Sequence, residues 1–306
     1  MQKMIYLAET ESEQNCPLQG VFTLRPSDPE RDKSLETAEI IFGNPTTDEL
    51  CRAKALKWVQ MTWAGADRYL GGDFPRNVLL TTASGAFGET IAEHTLAMLL
   101  ALCRRLPAYI RAGVWCDLGC EKQVCGATAM IFGCGDLGSS LARRLKALGV
   151  TTVGVCRNAR QRREGFDVLT TLECAELFLP EADFVLCALP HSPQTAGYFD
   201  TMRIGLLKQD AIFINVGRGS LADIDALTQA LSEGRLFGVG LDVTDPEPLP
   251  REHPLWTLPN AIITPHVAGV SFGHLPQTEQ KIWAICEENL SRYRRGEALK
   301  NEVKFP

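Results

Sequence analysis

The sequence predicts an α/β fold built on parallel sheets, because short apolar runs alternate with helical patterns along nearly the whole chain. A second observation narrows the class. At 127–149, ATAMIFGCGDLGSSLARRLKALG, a strand-like run is followed by Gly133, Gly135 and Gly138 in G-x-G-x-x-G spacing, then by Leu137, Leu141, Leu145 and Leu148 at helical intervals. The first glycine permits a tight turn, and the second lets the backbone approach a pyrophosphate. The third lets helix and strand pack closely, with the helix N-terminus facing the phosphates. Glycine-rich turns recur by chance, but here a second strand-like run at 151–155 completes a βαβ unit. The expectation is a Rossmann-type, doubly wound parallel sheet that binds a dinucleotide.

In chain order, the first part reads as strands at 4–7, 21–24, 39–42 and 58–62, with helices at 47–56 and 89–106. Few residues separate the first two strands, so the first crossover helix is short or absent. The second part reads as strands at 127–132, 151–155, 183–188, 211–216, 237–242 and 261–264, with helices at 137–148, 172–178, 201–208 and 223–233. Six strands with crossover helices fit a doubly wound sheet, in which ligands bind beyond the carboxyl ends of the strands. The tail at 277–295, with Ile282, Ile285, Leu290 and Tyr293, reads as a helix that can return to the first domain. The division expected is 1–95 with 275–306 as one domain, and 96–274 as the other.

The totals agree with two globular domains: 306 residues, 45% hydrophobic and 22% charged. A formal charge of −6 without a basic run disfavours nucleic-acid binding. Acidic residues come too early in MQKMIYLAETESEQ for a signal peptide, and the apolar helical stretch at 95–103 is too short to span a bilayer. A soluble, cytoplasmic protein with no membrane partner is expected. The eleven cysteines then read as reduced, buried thiols. Cys116, Cys120 and Cys125 lack a C-x-x-C pair and a nearby histidine, so no metal site is expected. Cys134 lies inside the glycine loop at a helix N-terminus, where the dipole favours a thiolate whose modification would block a cofactor.

Three segments end strands of the second part and carry polar groups: Arg218 between glycines in NVGRG, Glu247 between prolines in LDVTDPEP, and His266 in TPHVAG. Taken singly, each reads equally well as a surface arginine, a turn carboxylate or a structural histidine. At one edge of one sheet they form a set: an electrophile binder, an orienting carboxylate and an acid/base.

Several longer segments occur in combination: TWAGAD (62–67), IAEHTLAMLLALCRR (91–105), ADFVLCALPHSPQTAGYF (182–199), INVGRGSLAD (214–223), GLDVTDPEPLP (240–250), TPHVAGVS (264–271) and ENLSRYRRGEAL (288–299). With the glycine fingerprint, they resemble the D-isomer-specific 2-hydroxyacid dehydrogenases over nearly the whole chain from Val59. HPLWTLPNAIITPHVAG (253–269) is most similar to the glyoxylate/hydroxypyruvate reductase branch. The resemblance implies a second, flavodoxin-like α/β domain, an active site in the interdomain cleft, and a homodimer supported by the long helix at 89–106. It implies a catalytic triad of Arg218, Glu247 and His266. The arginine would bind the carboxylate and carbonyl of a 2-oxo acid. The histidine would exchange the proton, and the glutamate would bond its other nitrogen. The physical logic agrees, since an adjacent carboxylate favours a protonated ring and a fixed guanidinium stabilises charge developing on a carbonyl oxygen. The backbone amides of Ala64 and Gly65 would hold the substrate carboxylate. The cofactor would meet Gly133, Gly135, Asp136, Leu137, Gly138, Arg157, Leu189, Pro190, Val216, Gly217, Arg218, Asp242, His266 and Gly269.

An NAD enzyme usually places Asp or Glu at the end of the second strand, about 20 residues after the first glycine. Here Cys156 takes that place, followed by Arg157, Asn158 and Arg160. An acid that would repel a 2′-phosphate is missing and an arginine that could bind one is present, so NADP(H) is favoured and NAD(H) remains possible. The expected function is NADPH-dependent reduction of a small 2-oxo acid. Two rivals stand beside it: a nucleotide-sensing, corepressor-like binding protein, and a dehydrogenase of the same fold acting on another substrate, such as a sugar-acid phosphate. The last would need extra cations in the first domain, with Arg25 and Lys57 as candidates.

Overall fold

The computed structural model describes residues 3–72, 74–270 and 272–305. Ser271, the last residue of TPHVAGVS, and the termini Met1, Gln2 and Pro306 lie outside the described residues. The chain forms two compact units, Met1–Phe87 with Val270–Pro306, and Gly88–Gly269.

The first unit carries a parallel sheet of β1 (Met4–Leu7), β2 (Val21–Leu24), β3 (Ile40–Gly43), β4 (Trp58–Gln60) and β5 (Leu79–Thr81), in the order β2-β1-β3-β4-β5. This is the flavodoxin-like order. Strands β1 and β3 are wholly buried and read as continuous apolar runs, as expected of a parallel sheet covered on both faces. Two helices complete this part, α1 (Arg31–Thr37) and α2 (Thr47–Arg52). Strand β5 and helix α1 escape the sequence reading. The first is a short edge strand that opens on an exposed residue and ends in threonine, and the second buries only Leu35 in a charged stretch.

The second unit begins with α3 (Gly88–Cys103) and α4 (Leu106–Ala112). The single helix expected at 89–106 is broken because Arg105 turns left-handed, at φ +50°, and Pro107 opens the first turn of α4. Seven parallel strands follow: β6 (Thr128–Phe132), β7 (Thr151–Val155), β8 (Val168–Thr170), β9 (Phe184–Cys187), β10 (Ala211–Asn215), β11 (Leu236–Leu241) and β12 (Ala261–Ile263). Their order is β12-β11-β10-β9-β6-β7-β8. This is the doubly wound dinucleotide-binding order with one further strand, and its direction reverses between β6 and β9. The edge strand β8 makes seven strands where the sequence suggested six; it is short and its first residue is exposed. Helices α5 (Asp136–Ala147), α6 (Thr201–Gly205) and α7 (Ile224–Ser232) lie within this unit, and the helix expected at 172–178 is a 3₁₀ turn, Leu172–Leu177.

Alternate residues of each strand enter different cores. Met130, Phe132, Val185 and Phe213 pack in one layer, while Ala129, Ile131, Ile212 and Ile214 pack with Ala92, Leu99 and Leu145 of α3 and α5 in the other. Because α3 buries its apolar stripe here along its whole length, the unit boundary falls at Phe87/Gly88, not at 95/96. The second boundary falls at Gly269/Val270, not at 274/275. The last helix, α8 (Pro276–Arg295), belongs to the first unit. There Trp283 meets Tyr6 edge-on, Tyr293 stacks on Trp58, and buried Asn289 donates to Gln60 Oε1 at 2.7 Å.

Candidate active site

The glycine loop follows β6 at the point where the sheet reverses direction. Gly133 adopts φ +107°, and Gly138 lies so close beneath it that an added Cβ would stand 1.7 Å from the Gly133 carbonyl oxygen. Any larger residue at 138 would push α5 off the loop. Gly135 caps the N-terminus of α5, and an added Cβ there would meet nothing within 4 Å. The loop is therefore packed tightly below and left open above, which fits a pyrophosphate received at the helix N-terminus. Arg163 braces the loop from outside, with Nη1 donating to the Cys134 carbonyl at 3.0 Å. The sequence reading missed this residue, since an arginine in a polar loop carries no local signal.

Beyond the carboxyl ends of β10 and β11, two loops approach each other. Asn215, buried at the end of β10, closes the first by accepting from Gly217 N at 3.0 Å and donating to the Arg218 carbonyl at 2.9 Å. The Arg218 guanidinium is half-buried and donates from Nη1 to the Gly217 carbonyl at 2.7 Å. At Gly219 an added Cβ would lie 2.0 Å from the Thr244 carbonyl oxygen, so only glycine lets the Arg218 loop meet the loop that carries Glu247. Glu247 in turn places Oε2 3.1 Å from His266 Nδ1. Both side chains are close to half exposed, and the other ring nitrogen, Nε2, is left for a reacting group.

His266 has φ +54°, a left-handed conformation that costs a non-glycine residue of order 1 kcal/mol or more. Asp242 holds it there. The Asp242 carbonyl accepts from His266 N at 2.8 Å, and its carboxylate accepts from Thr264 Oγ1 at 2.6 Å, Val267 N at 2.9 Å and Ala268 N at 3.0 Å. His94 on α3 supports the same cluster, with Nε2 3.1 Å from Thr264 Oγ1. Asp242, expected to touch the cofactor, is only 2% exposed and has both oxygens engaged by the protein. His94 lies in the stretch IAEHTLAMLLALCRR, but its role depends on a contact 170 positions away in sequence.

The remaining expected cofactor residues divide by exposure. Gly135, Asp136, Pro190 and Arg157 are exposed, Leu137, Leu189 and Gly269 are half-buried, and Val216 and Gly217 are buried. Asp136 accepts from Gly88 N at 2.8 Å and so ties α5 to α3. Cys156 and Arg157 follow β7 directly, without an acid at the strand end. Cys134 contradicts the expected thiolate. It is buried, and desolvation, together with the Cys156 thiol it hydrogen-bonds, pushes its pKa up to about 12. Burial outweighs the helix N-terminus. The cysteines as a class are also less buried than expected, with Cys51, Cys116, Cys120, Cys125 and Cys174 exposed. Among the described residues, no group of three or more His, Cys, Asp or Glu is arranged to hold a metal.

In the first unit, the TWAGAD loop follows β4. Buried Asn44 fixes it: Oδ1 accepts from Trp63 N at 3.3 Å and Nδ2 donates to Thr62 Oγ1 at 2.7 Å. Ala83 N donates to the Trp63 carbonyl at 2.8 Å, and Ser84 Oγ to that of Ala64 at 3.2 Å. The loop carrying Ala64 and Gly65 is thus tied to Asn44, Ala83 and Ser84. The two candidate phosphate-binding cations are otherwise engaged. Arg25 binds the carbonyls of Glu11 and Glu13, and Lys57 pairs with Glu39 at the amino ends of β3 and β4.

Residues 96–268 match the family model described as D-isomer specific 2-hydroxyacid dehydrogenase, NAD binding domain. The chain belongs to the D-isomer-specific 2-hydroxyacid dehydrogenases. It is 33% identical over 224 residues to the glyoxylate reductase/hydroxypyruvate reductase of Homo sapiens, covering 71% of this chain and 67% of that protein. A solved family member from Aeromonas salmonicida superposes with a TM-score of 0.87 at 30% identity, each chain covered in full. An NADPH-dependent glyoxylate/hydroxypyruvate reductase from Sinorhizobium meliloti, solved with NADP and sulfate, gives 0.83 at 26% identity, covering 99% of this chain and 98% of that one. Membership makes this chain an NAD(P)-dependent oxidoreductase of small 2-hydroxy and 2-oxo acids. The glycine cradle at Gly133, Gly135 and Gly138 fits the nicotinamide dinucleotide that the family uses. Among the described residues, no helix of this dehydrogenase is long and apolar enough to cross a membrane.

Proposed function

We propose that this dehydrogenase reduces a small 2-oxo acid of the glyoxylate or hydroxypyruvate class with NADPH, and that Arg218, Glu247 and His266 carry the chemistry. One observation supports the triad above all: His266 Nδ1 stands 3.1 Å from Glu247 Oε2, which leaves Nε2 to hold a transferable proton. The reduced nicotinamide, when bound, supplies a hydride to the carbonyl carbon. As negative charge grows on the carbonyl oxygen, the Arg218 guanidinium stabilises it, an effect worth about 3–4 kcal/mol for a single fixed donor. The proton on His266 Nε2 passes to that oxygen and gives the 2-hydroxy acid. Glu247 keeps the ring oriented and compensates its charge. The amides of Ala64 and Gly65 take the substrate carboxylate.

NADPH is favoured over NADH because Cys156 ends β7 without an acid and Arg157 is exposed beside it. In the cytoplasm that cofactor is mostly reduced, so reduction is the working direction. A homodimer is proposed from the apolar groups left exposed on and after α4, Ile110, Val114 and Trp115. An initial-rate panel of glyoxylate, hydroxypyruvate and other small 2-oxo acids, each with NADPH and NADH, tests the assignment. Turnover of the first two with NADPH is expected. A protein that binds the cofactor yet oxidises it with no 2-oxo acid would instead be a nucleotide-sensing module.

A further inference from the structure

The sheet of the first unit reverses its winding between β1 and β3. In an open α/β sheet, ligands bind beyond the carboxyl ends of the strands where the winding reverses, which in the order β2-β1-β3-β4-β5 lies between β1 and β3. The residues that leave those two strands are polar and joined. Glu9, after β1, accepts at Oε1 from Asn44 Nδ2, after β3, at 2.7 Å. Arg68, six residues after Thr62, folds back to the same place. Its Nη1 donates to the Asn44 carbonyl at 3.3 Å, and its guanidinium lies 4.6 Å from the centre of the Trp63 ring.

The pair is built rather than incidental. Glu13 is buried, accepts from the Tyr6 hydroxyl, and accepts at Oε1 from the amides of Glu9 and Thr10 at 3.0 and 2.9 Å. That pins the backbone of Glu9. Stacking on Trp63 and the Asn44 carbonyl pin Arg68. Asn44 is the common hub, and it is also the residue that orients the loop of Ala64 and Gly65.

We infer that Glu9 and Arg68 form the subsite that reads the side chain of the 2-oxo acid, selecting a hydroxyl on C3 over a methyl group or a second anionic group. The inference rests on the reading of Ala64 and Gly65 as the carboxylate cradle. A carboxylate beside a guanidinium suits a group that both donates and accepts: the hydroxyl donates a hydrogen bond to Glu9 and accepts one from Arg68. A methyl group leaves both polar groups unserved. A carboxylate or phosphate gains from Arg68 but is repelled by Glu9, so this side of the site excludes dianions by charge. Arg25 and Lys57, bound elsewhere in the protein, offer no relief.

The test compares hydroxypyruvate, pyruvate and oxaloacetate in the full-length enzyme with saturating NADPH, and measures D-glycerate and D-lactate binding to the enzyme–NADPH complex by calorimetry. The native protein is expected to prefer hydroxypyruvate to pyruvate by about a hundredfold or more in kcat/KM. Arg68→Met should shrink that ratio at least tenfold, and the D-glycerate over D-lactate binding ratio with it. Arg68→Lys should restore part of it, since the charge returns without the planar fork. Glu9→Gln should raise oxaloacetate relative to hydroxypyruvate at least tenfold. If either variant changes all three substrates by one common factor, the residues are structural and the inference is overturned. If NADPH is oxidised with no 2-oxo acid at all, it is the underlying site reading that fails.

Discussion

Replacing Asp242 with Asn tests whether a buried carboxylate sets His266, the proposed proton donor. The two side chains have the same shape, but Asn has one acceptor oxygen where Asp has two. Oδ1 serves Thr264 Oγ1 and Val267 N, whereas Oδ2 serves Ala268 N alone. The less costly orientation therefore turns the new NH₂ group toward Ala268 N, and two donors face each other in a site that is 2% exposed. One hydrogen bond to a charged acceptor is lost, worth about 1.5–3 kcal/mol, and the two that remain are weakened because the acceptor is now neutral. A net cost of about 2–4 kcal/mol to the 264–268 turn follows. That corresponds to an increase of about thirty- to seven-hundredfold in local opening, at 1.4 kcal/mol per tenfold. Hydrogen exchange followed by mass spectrometry reads the change directly in the peptide containing Val267 and Ala268. Because the left-handed His266 sits in this turn, kcat should fall by about tenfold to a hundredfold, the range expected when the proposed proton donor moves by an ångström or less. Native protection at Val267 and Ala268 together with native kcat would show that Asp242 does not hold the histidine.

His266→Ala and Arg218→Ala should each lower kcat/KM for the best substrate by about a hundredfold or more, with a smaller loss for Glu247→Gln; native turnover in Arg218→Ala would remove the triad assignment. Arg157→Ala should lower kcat/KM for NADPH about tenfold more than for NADH, with the difference shrinking at high salt, and equal use of both cofactors by the native enzyme at low salt would refute the preference. Glu49→Gln should destabilise the first unit by about 1–3 kcal/mol at neutral pH, as seen in the urea midpoint. Burial alone would raise the Glu49 pKa, but the Thr46 amide and the Arg31 guanidinium outweigh it and hold the carboxyl below its ordinary value. A lowered pKa in the folded state stabilises above the unfolded value, about 4.5, and the gain is lost as pH falls through the folded value. The gap between variant and native protein should therefore narrow as the pH falls below 4.5 and through the lowered folded value, and a gap that stays constant through the whole acid range would contradict the linkage. Cys134 should be alkylated by iodoacetamide more slowly than the exposed Cys116, Cys120 and Cys125, with or without NADPH; rapid labelling would restore a reactive thiol.

The sequence alone determined the features that rest on local chemistry or on period. The glycine spacing at 133, 135 and 138 could be read because tight turns and close helix–strand packing admit no side chain at those places, whatever the rest of the chain does. The apolar runs of β6, β9 and β10 could be read because strands buried on both faces must be apolar throughout. Arg218, Glu247 and His266 stood out because each follows such a run. Short edge elements, β5 and β8, were invisible, since each opens on an exposed residue and ends in threonine, so neither makes a continuous apolar run. Tertiary structure decided whatever depends on contacts between segments remote in sequence. The helix dipole argued for a thiolate at Cys134, yet packing under β7 buries it and reverses the sign. That the Asp242 carboxylate ties Thr264, Val267 and Ala268 into one turn is visible only in the structure, because those residues lie more than twenty positions away. Glu9, Asn44 and Arg68 had no motif at all; strand order brings them together, because parallel strands gather the residues that follow them at one edge of the sheet.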